Sequence, residues 1–206
     1  MKQIDSSHYD FTKYMHLARW SCYYTQIKKT IELKPKRILE IGPGDGVYGW
    51  YMQKNGIAYR TVDHADDIES DYKAELGSEK LPVEDNSYDF ISAFQVLEHI
   101  EFEKIPEVLK ELRRVSSKYV FLDIPQYGFH LNLAFKIPLL PYLQFHAVLP
   151  RPAKHTFDGF HYWEIGKRGF ARSKVRKLIE KEFKILEEFS IFQNPKERYY
   201  ILEVKE

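Results

Sequence analysis

Apolar positions change period several times along the chain, and each change marks an element. Over residues 12–33, Trp20, Tyr23, Tyr24, Ile27 and Ile31 recur at the three- and four-residue intervals of one helical face. Pro35 stops that helix. The runs "RILEIG", "AYRTVD" and "YDFISAF" then read as strands, with "VYGWYMQKN" between the first two as a short helix closed by Asn55-Gly56. After the third strand, Ile105, Val108, Leu109, Leu112 and Val115 keep a helical rhythm, and "KYVFLDIP" is the next strand. Strands apolar along their length, alternating with helices, predict a doubly wound, mainly parallel sheet covered on both faces, an α/β fold.

The rhythm fails over residues 127–162, which are rich in aromatics, prolines and histidines and show no clear period. So long an irregular connection predicts an inserted lid or substrate region. Within it, residues 131–150 are nearly long enough to span a bilayer, but Lys136, Pro138 and Pro141 interrupt them, and Asn132, Gln144 and His146 would each need a partner in lipid. No transmembrane helix is expected. A lid over the substrate and a flap in peripheral contact with a membrane both stay open. Regularity returns with Val175, Leu178, Ile179 and Phe183 on one helical face. Two strand-like runs, "FKILEEFSIFQ" and "ERYYILEVKE", separated by Asn194-Pro195, then predict an antiparallel pair at the end of the sheet.

A chain of 206 residues that is 44% hydrophobic can bury one full core. We therefore expect a single domain over residues 1–206, with residues 1–34 as an N-terminal helical cap and residues 127–162 as the insertion. Thirty-one Lys and Arg against thirty Asp and Glu give a net charge of +1, too balanced to expect a nucleic-acid partner. The basic stretch "KRGFARSKVRKLIEKEFK" has acidic neighbours and a helical period, and reads as a solvated helix face. One cysteine, Cys22, allows no internal disulfide, and "MKQIDSSHYDFTKY" lacks the apolar run of a secretory signal, so a cytoplasmic location is expected. Nothing in the pattern speaks to the oligomeric state.

The candidate chemistry gathers after the first strand, where four glycines occur between Gly42 and Gly49. Glycine permits positive φ and lets backbone approach a ligand closely, and in a doubly wound sheet this loop faces the ligand crevice. Gly42, Gly44 and Gly46 form E-x-G-x-G-x-G, whereas Gly44, Gly46 and Gly49 spell the dinucleotide fingerprint GxGxxG. The first register fits the end of the strand better, because Gly49 would fall inside the following helix. Asp63 ends "AYRTVD" about twenty residues further on, the spacing at which a carboxylate takes both hydroxyls of a ribose. The pair implies an adenosine-bearing ligand.

"ILEIGPGDGVYG", "TVDHAD", "KAELGSEKLPVEDNSYDFISAFQVLEHI" and "LKELRRVSSKYVFLDIP" together resemble a class I S-adenosylmethionine-dependent methyltransferase of the type 11 group, over residues 36–125. The resemblance implies a Rossmann-like seven-stranded sheet with an antiparallel C-terminal strand, and S-adenosylmethionine as cofactor with S-adenosylhomocysteine as product. It places Gly42, Gly44 and Gly46 at the methionine end, Asp63 on the ribose, Glu75 and Leu76 at the adenine, and Phe94 and Gln95 near the reacting methyl. Glu75 stands where aspartate is commoner in the family. Glu98 and His99 read as solvated residues at the start of a helix.

For the acceptor, "RPAKHTFDGFHYWEIGKRGF" sets His155, Asp158, His161 and Glu164 among Phe157, Phe160, Tyr162 and Trp163, which suits a pocket for a small molecule or saccharide. The H-Y-W-E-I-G element is similar to one found in methyltransferases of this group. A hydroxyl acceptor benefits from a general base, and His161 is the residue expected to serve. The His155–His161 spacing matches no zinc pattern, and no metal is expected. Tyr9, Tyr14 or Trp20 would face the sulfonium if the N-terminal helix closes over the cofactor, although core packing explains the same stripe. The expected activity is methyl transfer to a small-molecule or glycan-precursor acceptor, at oxygen. The alternatives are an NAD-binding dehydrogenase-type protein and a non-catalytic adenosyl-binding module.

Overall fold

The computed structural model describes residues 6–151 and 153–205. Helices α1 (Phe11–Tyr14) and α2 (Leu17–Leu33) lead into β1 (Arg37–Ile41), α3 (Val47–Lys54), β2 (Ala58–Asp63), β3 (Tyr72–Lys73) and β4 (Tyr88–Phe94). Then come α4 (Ile105–Val115), β5 (Ser116–Pro125), β6 (Phe129–Phe135), β7 (Leu143–Leu149), α5 (Arg172–Glu182), β8 (Phe183–Ile191) and β9 (Asn194–Val204). Seven strands form one sheet in the order β3-β2-β1-β4-β5-β9-β8. β9 runs antiparallel to both neighbours, and the other pairings are parallel. The expected Rossmann-like architecture is therefore present, and strand order reverses between β1 and β4.

Helix α4 covers one face as its pattern requires: Ile105, Val108, Leu109, Leu112 and Val115 are all buried, and Pro106 sits at its first turn, where a missing N–H costs nothing. Burying five such side chains stabilises the layer by roughly 2 kcal/mol each. Helix α3 ends at Asn55, with Gly56 at φ 75°, as the Asn-Gly pair demands.

The predicted N-terminal helix differs in two ways. It breaks at Met15, and α2 restarts with the His16 side chain accepting from the Arg19 N–H at 3.3 Å. Its buried face is only partly the aromatic stripe: Tyr23 is buried and Ile27 packs against the core, but Trp20, Tyr24 and Ile31 are exposed, and Cys22, Gln26 and Thr30 take their place. Gln26 donates to Asp123 at 3.1 Å and Thr30 bonds the Tyr48 hydroxyl at 3.0 Å, so polar groups tie this face to the sheet.

The segment expected to be irregular contains a β-hairpin. β6 and β7 pair in antiparallel register as their own two-stranded sheet. At the far end of the insertion, Ile165 returns to the sheet: its N–H reaches the Pro125 carbonyl at 3.0 Å and its carbonyl takes the Tyr127 N–H at 2.7 Å. Gly166 makes this crossing feasible, with φ 94° and a position where a Cβ would lie 2.3 Å from the Tyr127 carbonyl oxygen. The two ends of the insertion are thus joined. Among the described residues no helix is long and apolar enough to cross a membrane.

Candidate functional site

A cavity of about 420 Å³ opens where strand order reverses, over the C-terminal ends of β1 and β4. One wall is the glycine turn after β1, where Gly42 and Gly44 have φ of 69° and 56°. A Cβ on Gly42 would lie 2.8 Å from Val96, and one on Gly44 would lie 3.2 Å from the Tyr9 ring. Bare backbone here lets the turn fit beneath both neighbours and face the cavity. Gly46 does something else: at φ 73° it caps α3 and does not line the cavity. Gly49 lies inside α3, packed where a Cβ would strike Tyr59 of β2.

Asp63, at the end of β2, lines the cavity with a nearly buried side chain, and its Oδ1 accepts from the Ala65 N–H at 2.7 Å. Glu75 and Leu76 line the same cavity. Asp45, which the sequence reading passed over, also lines it and accepts the Tyr23 hydroxyl at 2.7 Å, joining α2 to the turn. Tyr9 and Tyr14 complete the cover, but Trp20 turns outward and is not part of it.

At the end of β4, Gln95 takes a left-handed backbone with φ 56°, the kind of strain that collects at functional sites. Its amide reaches Asp123 at 3.2 Å and Glu197 at 2.5 Å, two buried carboxylates on β5 and β9. Burial, reinforced by Glu197 and Glu98, holds the Asp123 carboxyl well above the usual range. Burial likewise raises Glu197, against the opposing pull of Arg19.

The cavity wall also carries a cluster that the sequence reading treated as solvated. Glu98 is fully buried, with neither carboxylate oxygen hydrogen-bonded, and burial pushes its pKa far up. His99 sits beside it with Nδ1 3.0 Å from the Phe160 carbonyl. The partners that bury both come from the insertion: Tyr162 donates its N–H to the Glu98 carbonyl at 2.8 Å. Trp163 donates to the carbonyls of Leu97 and Ile100 at 3.1 and 3.0 Å. Trp163 is therefore core, not the pocket wall expected of it; Phe160 lines the cavity, and Phe157 is exposed.

His161 reaches the cavity beside His99, with ring centres 5.1 Å apart. Its Nδ1 lies 3.5 Å from Asp158, whose other oxygen accepts the His161 N–H at 2.8 Å. His155 stays outside and braces the His161 carbonyl at 2.9 Å. Glu98, His99 and His161 each place one donor atom within 4.8 Å of the others, a set able to hold a divalent cation.

Burial lowers the His99 pKa to about 4, although the Phe160 carbonyl favours the charged ring. A depressed folded pKa contributes stability that is present above the unfolded value near 6.5 and lost as pH falls toward the folded one. Between pH 7 and 4 the protein should therefore lose on the order of 3 kcal/mol more stability than a His99→Gln variant. Urea unfolding at each pH measures the difference, and parallel pH curves would count against a neutral buried imidazole.

A protein-family pattern described as a methyltransferase domain matches residues 14–163. The fold is similar to that of the PH0226 protein from Pyrococcus horikoshii OT3 (TM-score 0.64, 14% identity, covering 98% of this chain and 100% of that one). It is also similar to magnesium protoporphyrin IX methyltransferase from Synechocystis PCC 6803 with bound S-adenosylhomocysteine (TM-score 0.60, 11% identity, 100% and 90% covered). A third similar fold is a glycopeptide N-methyltransferase complexed with S-adenosylhomocysteine (TM-score 0.56, 9% identity, 87% and 89% covered). No curated protein matches the sequence.

Proposed function

The chain belongs to the methyltransferase domain family, and from that premise we propose that it transfers a methyl group from S-adenosylmethionine to a small-molecule or saccharide acceptor, at oxygen. The observation that supports this reading is that one cavity is lined by a bare glycine turn, the Asp63 carboxylate and His161 together. The residues fit the cofactor. Gly42 and Gly44 offer unobstructed backbone to an amino-acid tail, Asp63 suits a vicinal diol, and Glu75 with Leu76 would border the base. Gly46 supports the turn without contact. When bound, the cofactor supplies an electrophilic methyl on a positively charged sulfur, so the protein's work is alignment and exclusion of water.

His161 is assigned the acceptor's proton. The Asp158 carboxylate beside Nδ1 favours the tautomer protonated there, which leaves Nε2 to accept from a hydroxyl. His99 lines the same cavity as a neutral ring. The orphaned Glu98 carboxyl favours a second reading, in which Glu98, His99 and His161 would hold a divalent cation that would supply Lewis-acid activation of a hydroxyl acceptor.

Calorimetry with S-adenosylhomocysteine and with NAD tests the premise, and tritium transfer from labelled S-adenosylmethionine to an acceptor panel tests turnover. Binding of NAD in place of S-adenosylhomocysteine would overturn the reading. Binding without transfer to any acceptor class would leave an adenosyl-binding module. Asp63→Ala should weaken S-adenosylhomocysteine binding at least tenfold, about 1.4 kcal/mol, through loss of the diol contacts. Unchanged affinity ends the Asp63 assignment.

A further inference from the structure

The β6–β7 hairpin is amphipathic in the reverse sense. Its register sets Phe129, Leu131, Leu133 and Phe135 opposite Leu149, Ala147, Phe145 and Leu143, so these eight share one face. The seven large ones are each 42–56% exposed, which places the apolar face outward. The opposite face carries His130, Asn132, Ala134, Gln144, His146 and Val148, and it meets the domain through polar contacts of Asn132 and His146. Asn132 donates to the Phe192 carbonyl at 2.8 Å, and His146 lies 2.8 Å from the Ser190 hydroxyl. At the turn, Ile137, Leu139, Leu140 and Tyr142 are exposed as well, with Leu139 standing entirely clear of the protein.

These side chains offer on the order of 1,000 Å² of apolar surface, well above the patch a soluble monomer usually tolerates. The charge around the face is one-sided. No Asp or Glu occurs from Tyr127 to Phe157, while Lys136, Arg151 and Lys154 do. Lys136 enters the turn, and the Arg151 guanidinium lies 4.8 Å from the centre of the Phe129 ring at the hairpin's base.

We infer that this hairpin is a membrane-docking element, laying the Phe129–Phe135 and Leu143–Leu149 face into the interface of an anionic bilayer with Lys136 and Arg151 at the headgroup phosphates. A two-stranded hairpin leaves both edges unpaired and cannot span hydrocarbon, so it lies flat at the interface. Lys and Arg stems bury along the apolar face while their charges stay at phosphate level. A second copy of the chain fits the same face less well. Residues 127–157 of either copy contain no carboxylate to pair with Lys136 and Arg151 of the other.

Flotation of the full chain with vesicles tests the inference, using phosphatidylcholine alone and phosphatidylcholine with about a third phosphatidylserine. The protein should float with the anionic vesicles and at least about tenfold less with the neutral ones at low salt. Leu139→Trp should show a blue-shifted emission only with anionic vesicles. Phe145→Glu with Leu139→Glu should abolish flotation while S-adenosylhomocysteine binding is unchanged, which excludes misfolding as the cause. Lys136→Gln with Arg151→Gln should remove the lipid-charge preference. Failure of the parent protein to float with either vesicle overturns the inference. So does a concentration-dependent dimer that the two glutamates dissociate. Neither result bears on cofactor binding, which is measured separately.

Discussion

Trp163→Ala is expected to lower the unfolding free energy by about 3–5 kcal/mol, the cost of emptying a fully buried aromatic site. The indole is completely buried, with its ring 5.0 Å from Phe102 and 6.3 Å from Phe170 between centres. Its N–H is shared between the carbonyls of Leu97 and Ile100. Those carbonyls bracket Glu98 and His99, so the loss concerns the site as well as the core. Trp163→Phe keeps most of the volume but removes the donor, and should cost about 1–3 kcal/mol. Urea unfolding of the three proteins measures both steps. A loss under about 1 kcal/mol for alanine would mean that Trp163 does not tie the insertion to the sheet.

His161→Ala is expected to reduce turnover by about 100-fold or more, the usual worth of a positioned general base, with S-adenosylhomocysteine affinity within about twofold of the parent. The ring lines the cavity, and its assigned partner is the acceptor rather than the cofactor, so binding and chemistry should separate. Asp158→Asn should give a smaller loss and shift the pH–rate profile, because Asp158 orients the ring without reaching the reacting atoms. Dialysis against a chelator distinguishes the two readings of His161. Unchanged turnover in metal-free protein supports the base, whereas loss restored by a divalent ion supports the cation. Full turnover in His161→Ala would remove His161 from both.

What the sequence disclosed depended on whether a residue's partners were near it in the chain. The α4 face was legible because five apolar residues at helical spacing need only a sheet beneath them. Gly42, Gly44, Asp63, Glu75, Leu76, Gln95 and His161 were legible as a set, and all of them line the one cavity, since strand ends and their loops fall together in a doubly wound sheet. Glu98 and His99 were misread because Tyr162, Trp163 and the Phe160 carbonyl, which bury them, arrive from the insertion. The buried face of α2 was misread for a similar reason, since Gln26 looks solvated until Asp123 is brought to it. The acid pair is subtler still: Gln95 meets Glu197 across 102 residues. The hairpin had a local signal, because Phe129, Leu131, Leu133 and Phe135 alternate at period two. The prolines near its turn, with the lack of a longer period, make the same segment read as irregular.

The crossing at Ile165 and Gly166 has an evolutionary consequence. Because the insertion leaves the sheet at Pro125–Tyr127 and rejoins it at the same place, the hairpin between these points can drift in length and content without altering strand register, while Tyr162 and Trp163 stay tied to the core. His161 and the apolar hairpin lie within that one segment, anchored by Trp163, while the glycine turn and Asp63 belong to the sheet itself. A lineage exchanging that segment would alter the exposed apolar hairpin and the His161 side of the cavity in a single event and leave the glycine turn and Asp63 in place.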